Sequence, residues 1–440
     1  MISYSQLNPV PISGFGYDIQ AGMPSPVVNV RDVGAKGDGR TDDTDAFQAA
    51  VDAVPITGGT VIVPRGDYRI DVDKSIVLRS NMLLLMDPAA TLAAIPTSTS
   101  LNRLIKVWNV ANVRIVGGRL VGERRLHVTD PLPDDPGQNE QGFGISIQSS
   151  RNIVVSDVHI SDFWGDGMWI GAIGSERDER WDPEHSDYLH IQSTNVLINH
   201  VVSTHNRRQG LSMGPAENVT ITNSTFSFSG PGSFPQEATH PMSGIDLEPQ
   251  GQGYVRNVVI SHCIMMRNRG TGLEIHGNVI GVSVHDCVIS DNFGYGFVTH
   301  EEANQWWIEK ELTGLSFSNN TVTRNGLEGA IILGRTNCAL VAGNTFVGNG
   351  FRYPFSGGDD PYEEWATSHG DVLQGLGTLN RGAMDNSILD NVIPNPDLST
   401  GADLLVENTA TNMRLRNNTY TSKSDPVDQE FGDDVGYPLP

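Results

Sequence analysis

Gly244-Ile-Asp-Leu-Glu248, Gly272-Leu-Glu-Ile-His276 and Gly296-Phe-Val-Thr-His300 are copies of one short pattern, spaced 28 and then 24 residues apart. Each is a glycine followed by alternating residues, the period of a β-strand with one buried face. Further copies stand at Gly167-Met-Trp-Ile, Gly210-Leu-Ser-Met, Gly329-Ala-Ile-Ile and Gly401-Ala-Asp-Leu. Between them runs a second motif, as in Asn152-Ile-Val-Val-Ser-Asp, Asn218-Val-Thr-Ile-Thr-Asn, Asn257-Val-Val-Ile-Ser-His and Gly314-Leu-Ser-Phe-Ser-Asn. A strand of three to five residues cannot bury its apolar face alone, whereas stacked coils bury a continuous column. The spacing therefore predicts an all-β solenoid, a single-stranded parallel β-helix. Asn and Gly at the turns fit because they tolerate left-handed backbone.

The N-terminal segment carries a resemblance. It reads Val27-Val-Asn-Val-Arg-Asp-Val-Gly-Ala-Lys-Gly-Asp-Gly-Arg-Thr-Asp-Asp-Thr-Asp-Ala-Phe-Gln-Ala-Ala, then Gly58-Gly-Thr-Val-Ile-Val-Pro-Arg-Gly-Asp-Tyr-Arg-Ile70. This resembles the entry segment of pectate-lyase-like β-helix proteins, which include polygalacturonases, β-1,3-glucanases, mannuronan C5-epimerases and phage tailspikes, and the resemblance implies a right-handed parallel β-helix. The division expected is an extension over 1–26, a β-helix over 27–425 with its entry and capping segment at 27–70, and a tail over 426–440. Asp42 and Asp43 are read as caps of a helix over 45–54 that closes the first coil.

Composition narrows the partners. The net charge of −23 excludes a phosphate-binding surface, which needs clustered Lys and Arg, so no nucleic acid is expected. No stretch is long and apolar enough to span a membrane. Three cysteines, Cys263, Cys287 and Cys338, do not make a disulfide framework and are read as small buried hydrophobes. Met1-Ile-Ser-Tyr-Ser-Gln6 lacks the features of a secretory leader, although the resemblance implies an extracellular or periplasmic protein.

In the glycine-led strands, the second and fourth residues after Gly face outward. Coils stack about 4.8 Å apart, so these positions form columns. The second-position column is Trp169, Ser212, Asp246, Glu274, Val298, Ile331 and Asp403. The fourth is Gly171, Gly214, Glu248, His276, His300, Leu333 and Leu405. Asp246, Glu248, Glu274, His276 and His300 thus meet within three coils, an arrangement costly by mutual repulsion. Paired carboxylates are what glycosidic hydrolysis requires, one as acid and one as base or nucleophile. These five are the candidate catalytic residues.

The coils lengthen beside this strand at 172–193, 231–243, 301–313 and 351–385, where loops carry function. Trp181, Trp306 and Trp307 offer stacking faces for sugars, as do Tyr353, Tyr362 and Trp365. With Trp169, Arg208, Arg267, Tyr295 and Glu302, the three tryptophans make the candidate substrate-binding set. No cofactor or dedicated metal site is expected, and the ion such an acidic ridge suits is calcium.

The polygalacturonase pattern places Asp just before its strands, but Pro241-Met-Ser-Gly244, Arg269-Gly-Thr-Gly272 and Phe293-Gly-Tyr-Gly296 do not match it. Tyr295-Gly-Phe-Val-Thr-His300-Glu301 is similar to the epimerase motif Tyr-Gly-Phe-Asp-Pro-His-Glu, with Val298 replacing its Asp. That resemblance implies Tyr295 and His300 as acid–base groups beside a uronate. Neither column contains Lys or Arg, which argues for a neutral glycan over a uronate. Arg207, Arg208, Arg267 and Arg269 lie in the turns before the strands. The expected function is glycosidic-bond cleavage of a polysaccharide or oligosaccharide, the alternative a lyase or epimerase. A tailspike-like glycan-binding protein without turnover, a homotrimer by that resemblance, is a third reading.

Overall fold

The computed structural model describes residues 23–99, 101–128, 140–173, 191–232, 237–249, 253–300, 312–332 and 336–349. It also describes residues 387–393, 414–416, 418–420 and 429–430. Their strands form three stacked parallel sheets of fifteen, thirteen and nine strands. Each strand pairs with its equivalent one coil away, so the chain is the expected right-handed parallel β-helix. Gln429–Glu430, in the stretch read as a tail, pairs antiparallel with Arg414–Leu415.

The inward residues explain the stack. Ile245, Leu247, Leu273, Ile275 and Phe297 are fully buried and belong to one continuous core. Phe297 stacks on Phe317 at 4.8 Å. Each such side chain contributes roughly 1.5–3 kcal/mol on removal from water.

Asparagines hold the turns. Asn112, Asn152, Asn195, Asn218 and Asn257 all take positive φ, and each donates its amide to the Asn one coil before. The glycines that lead the nine-stranded sheet have a different reason. They are absent from the left-handed region; a Cβ on Gly244 would stand 2.7 Å from the Gly272 carbonyl oxygen, and one on Gly272 2.6 Å from that of Gly296. Close approach of successive coils, not turn conformation, selects glycine there.

A helix, Thr44–Ala53, buries Phe47, Ala50 and Val51 against the first coil. Phe47 meets Tyr68 edge-on at 5.1 Å. The two aspartates divide the work that was read as shared capping. Asp42 Oδ1 accepts from Thr44 N at 3.0 Å, whereas Asp43 makes no cap bond and instead accepts from the backbone of Lys36 and Gly37. Asp43 is tied to the entry loop because its carboxylate is turned inward, 1% exposed. The Arg79 guanidinium satisfies the helix's last carbonyls, Val51 O, Asp52 O and Val54 O.

One expectation about cysteine is corrected. Cys263 and Cys287 are buried, but Cys338 is exposed, at a left-handed turn position outside the core.

Candidate functional site

The nine-stranded sheet carries the glycine-led strands, and its register aligns their second positions. Trp169 pairs with Ser212, Ser212 with Asp246, Asp246 with Glu274, Glu274 with Val298, and Val298 with Ile331. The fourth positions continue the ladder, with His276 N donating to Leu247 O and His300 N to Ile275 O, both at 2.9 Å. Asp403 and Leu405 lie outside the described residues.

The register also runs upstream, where the sequence columns stopped. Ser146 pairs with Trp169 and Lys106 with Ser146, while Trp108 and Gln148 precede Gly171 in the fourth column. A lysine therefore belongs to the second column after all, its ammonium 5.2 Å from the Trp108 ring. Gly144-Ile-Ser-Ile147 is a further glycine-led copy that the repeat could have revealed, whereas the coil of Lys106 and Trp108 has Leu104 in the glycine's place and gave no such signal.

The second-position residues point out of the coil but not into open water. Asp246 and Glu274 are 1% and 3% exposed. Side chains of the neighbouring columns cover them. Gln209 Nε2 donates to Asp246 Oδ2 at 2.6 Å, and Ser243 Oγ donates to Glu274 Oε1 at 2.5 Å. The other oxygen of each acid faces an imidazole. His276 Nε2 lies 3.2 Å from Asp246 Oδ1 and 3.8 Å from Glu274 Oε2; His300 Nε2 lies 3.2 Å from Glu274 Oε2. The two imidazoles stack at 4.3 Å and form the more open side of the cluster, 15% and 27% exposed. Burial would raise the Glu274 carboxyl, but hydrogen bonds from His276 and His300 outweigh it and hold the group well below the usual carboxylate range.

Gln209 and Ser243 occupy the position directly before the strand glycine. One coil earlier that position is Asp166, in Gly165-Asp-Gly167, fully buried. It accepts from Ser212 Oγ at 2.6 Å, Arg208 Nη1 at 3.1 Å and Gln209 N at 3.1 Å. Burial pushes its carboxyl up to about 6 against the pull of Arg208 and Ser212. Reading the residue before every strand glycine, instead of at three coils, finds Asp166 and Gln209 from the sequence.

The remaining candidates separate. Arg208 joins the cluster's edge, but Asp166, Glu140 at 3.4 Å and Glu248 at 3.9 Å already surround it. Burial works against its charge, and those carboxylates more than compensate, raising its proton affinity. Glu248 is on the rim, 33% exposed. Tyr295 packs with Val298, Leu327 and Ile331, and burial, then Glu328 and Glu274, raises its phenol. Trp169 is buried against Phe143, stacked at 5.7 Å, instead of presenting a free face. Arg267 lies over Phe228, Arg207 is buried over Trp164, and Arg269 donates to Gly232 O. Trp181, Glu302, Trp306, Trp307, Tyr353, Tyr362 and Trp365 lie outside the described residues.

With this geometry in place, the comparisons agree on class. Residues 27–107 match the family model described as rhamnogalacturonase A/epimerase, pectate lyase-like, and residues 184–351 match that of the right-handed β-helix region. The chain is a pectate-lyase-like right-handed parallel β-helix protein, and no individual family within that class is assigned. It is 26% identical over 336 residues to the uncharacterised protein YclG of Bacillus subtilis (strain 168), covering 73% of this chain and 55% of that one. It is 31% identical over 200 residues to mannuronan C5-epimerase AlgE1 of Azotobacter vinelandii, covering 41% and 12%. It is 23% identical over 311 residues to the exo-poly-alpha-D-galacturonosidase of Dickeya chrysanthemi, covering 60% and 50%. The chain spans about half the length, or less, of the curated relatives it matches. Among solved structures it resembles PfbA, a surface adhesin of Streptococcus pneumoniae, with a TM-score of 0.64, 15% identity and 90% of each chain covered. Among the described residues no helix is long and apolar enough to cross a membrane.

Proposed function

We propose that the protein is a carbohydrate-active enzyme that hydrolyses glycosidic bonds at the Asp246–Glu274 pair. One observation carries this reading: two acids on adjacent strands, each with one oxygen fixed by the scaffold and the other turned to an imidazole. Acids held in this way are preorganised for proton transfer at a bond laid across the sheet. Glu274, kept ionised, serves as base or nucleophile. Asp246 is the acid, His276 between them passes the proton, and His300 positions Glu274. Glu248 and Arg208 border the groove. The kinship with a galacturonosidase supports a glycan substrate. With Arg208 already neutralised by three carboxylates, a neutral glycan fits better than a uronate.

A second reading, C5 chemistry on a uronate by Tyr295 and His300, is favoured by the match to a mannuronan epimerase. Against it stands the burial of Tyr295, which holds the phenol in its protonated form.

Mass analysis of products from a panel of neutral and uronate polysaccharides separates the readings. Products heavier by one water per cut are expected. Unsaturated products would move the chemistry to Tyr295, and an absence of products from every polymer would favour a glycan-binding protein.

A further inference from the structure

Glu274, His276 and His300 each present a ligand atom to one cluster, and Asp246 Oδ1 stands beside it, 3.2 Å from His276 Nε2. The ligand atoms of Glu274, His276 and His300 all lie within 4.8 Å of one another. The closest pairs are 3.2 Å, for His300 with Glu274 and for His276 with Asp246, and 3.8 Å, for His276 with Glu274. Ligand bonds of about 2.0–2.2 Å around a tetrahedral ion set neighbouring ligand atoms roughly 3.3–3.6 Å apart. These three closest separations bracket that range, and the shell closes once side-chain movement draws in the remaining pairs and brings Asp246 alongside.

The surroundings are those of a built site. Ser243 Oγ and Gln209 Nε2 each hold the distal oxygen of one acid, leaving Glu274 Oε2 and Asp246 Oδ1 directed at the imidazoles. Outer partners of this kind orient the ligands of metal sites. Glu274 and His276 are the second and fourth positions of one strand, Asp246 is the second position one coil before and His300 the fourth position one coil after, so their backbone is fixed by the ladder.

We propose that these four residues bind one divalent first-row transition ion of the zinc class. Two imidazoles with two carboxylates suit such an ion, whereas calcium takes oxygen ligands alone. Resting on the hydrolytic reading, a consequence follows: a bound ion occupies the lone pairs that proton transfer uses, so it inhibits turnover.

Calorimetric titration of the metal-stripped full chain with zinc chloride tests the site. One equivalent is expected to bind, and calcium chloride in excess should not displace it. His276→Ala, His300→Ala and Glu274→Gln should each weaken binding by roughly tenfold or more, and Ser243→Ala by roughly tenfold. Far-ultraviolet circular dichroism checks each variant's fold, with His300→Gln replacing any alanine variant that fails to fold. His285→Ala, in the separate cluster of His262, His285 and Asp286, should leave binding unchanged. No uptake by the native chain, uptake indifferent to both site histidines, or loss in His285→Ala would each overturn the proposal. The readout needs no turnover: binding without glycan products would sink only the hydrolytic reading, and products without binding only this one.

Discussion

The asparagine ladder from Asn268 to Asn349 and the acid–imidazole cluster from Asp246 to His300 are both polar stacks one coil apart. In the ladder the same residue recurs. Asn268, Asn292 and Asn325 each donate backbone and side-chain N–H groups to the Oδ1 of the next Asn, and each donates again to a core-strand carbonyl. An amide is both donor and acceptor, so identical copies satisfy one another indefinitely. Ionised carboxylates only accept, and a run of them repels. The cluster therefore breaks its repeat, alternating Asp and Glu with His and drawing Gln209 and Ser243 from another column. The ladder is a stability device that any coil can extend, while the cluster depends on its particular neighbours.

Breaking the ladder should have the largest effect. Asn292→Ala removes two bonds accepted by its Oδ1 and two donated by its Nδ2, all buried. The expected loss is about 3–5 kcal/mol, read from denaturant unfolding, with turnover per folded molecule unchanged. A loss below about 1 kcal/mol would show that coils next to it absorb the defect.

Breaking the cluster should do the reverse. Asp246→Asn and Glu274→Gln keep shape and volume, so each should cost at least about a hundredfold in turnover, near 2.7 kcal/mol of barrier. Unfolding midpoints should hardly move. If both variants keep turnover within a few fold, the reaction takes place elsewhere.

The smallest effect comes from Asp166, which holds Arg208 and Ser212 beside the cluster. Its folded pKa of about 6 exceeds an unfolded value of roughly 3.9, so the folded state binds the proton more tightly. This group's contribution is complete below about pH 4 and is lost as pH rises through 6. The stability of the native chain relative to Asp166→Asn should therefore fall between pH 4 and 7, by roughly 2 kcal/mol. A rise over that window would mean that the Arg208 ion pair, not burial, governs Asp166.

Much of this was legible beforehand for identifiable reasons. Period-two alternation after each glycine placed Asp246 and Glu274 in one column, because β-stacking leaves equivalent positions no alternative. The sequence did not indicate that the column is covered, since the cover comes from Gln209, Ser243 and Arg208, which belong to other columns. Nor did it place Lys106 and Trp108 on this face, because their coil lacks the glycine signature and only hydrogen-bond register assigns them.

The sequence by itself determined the solenoid, its turns, the helix that closes its first coil and the column in which acids and imidazoles meet, because these follow from local period and coil length. Tertiary structure alone decided which oxygen of each acid is fixed and which faces an imidazole. It also decided that Arg208 is neutralised and that Tyr295 and Trp169 are buried. Those outcomes depend on side chains reaching diagonally between coils, a geometry of a few ångströms that no spacing along the chain encodes.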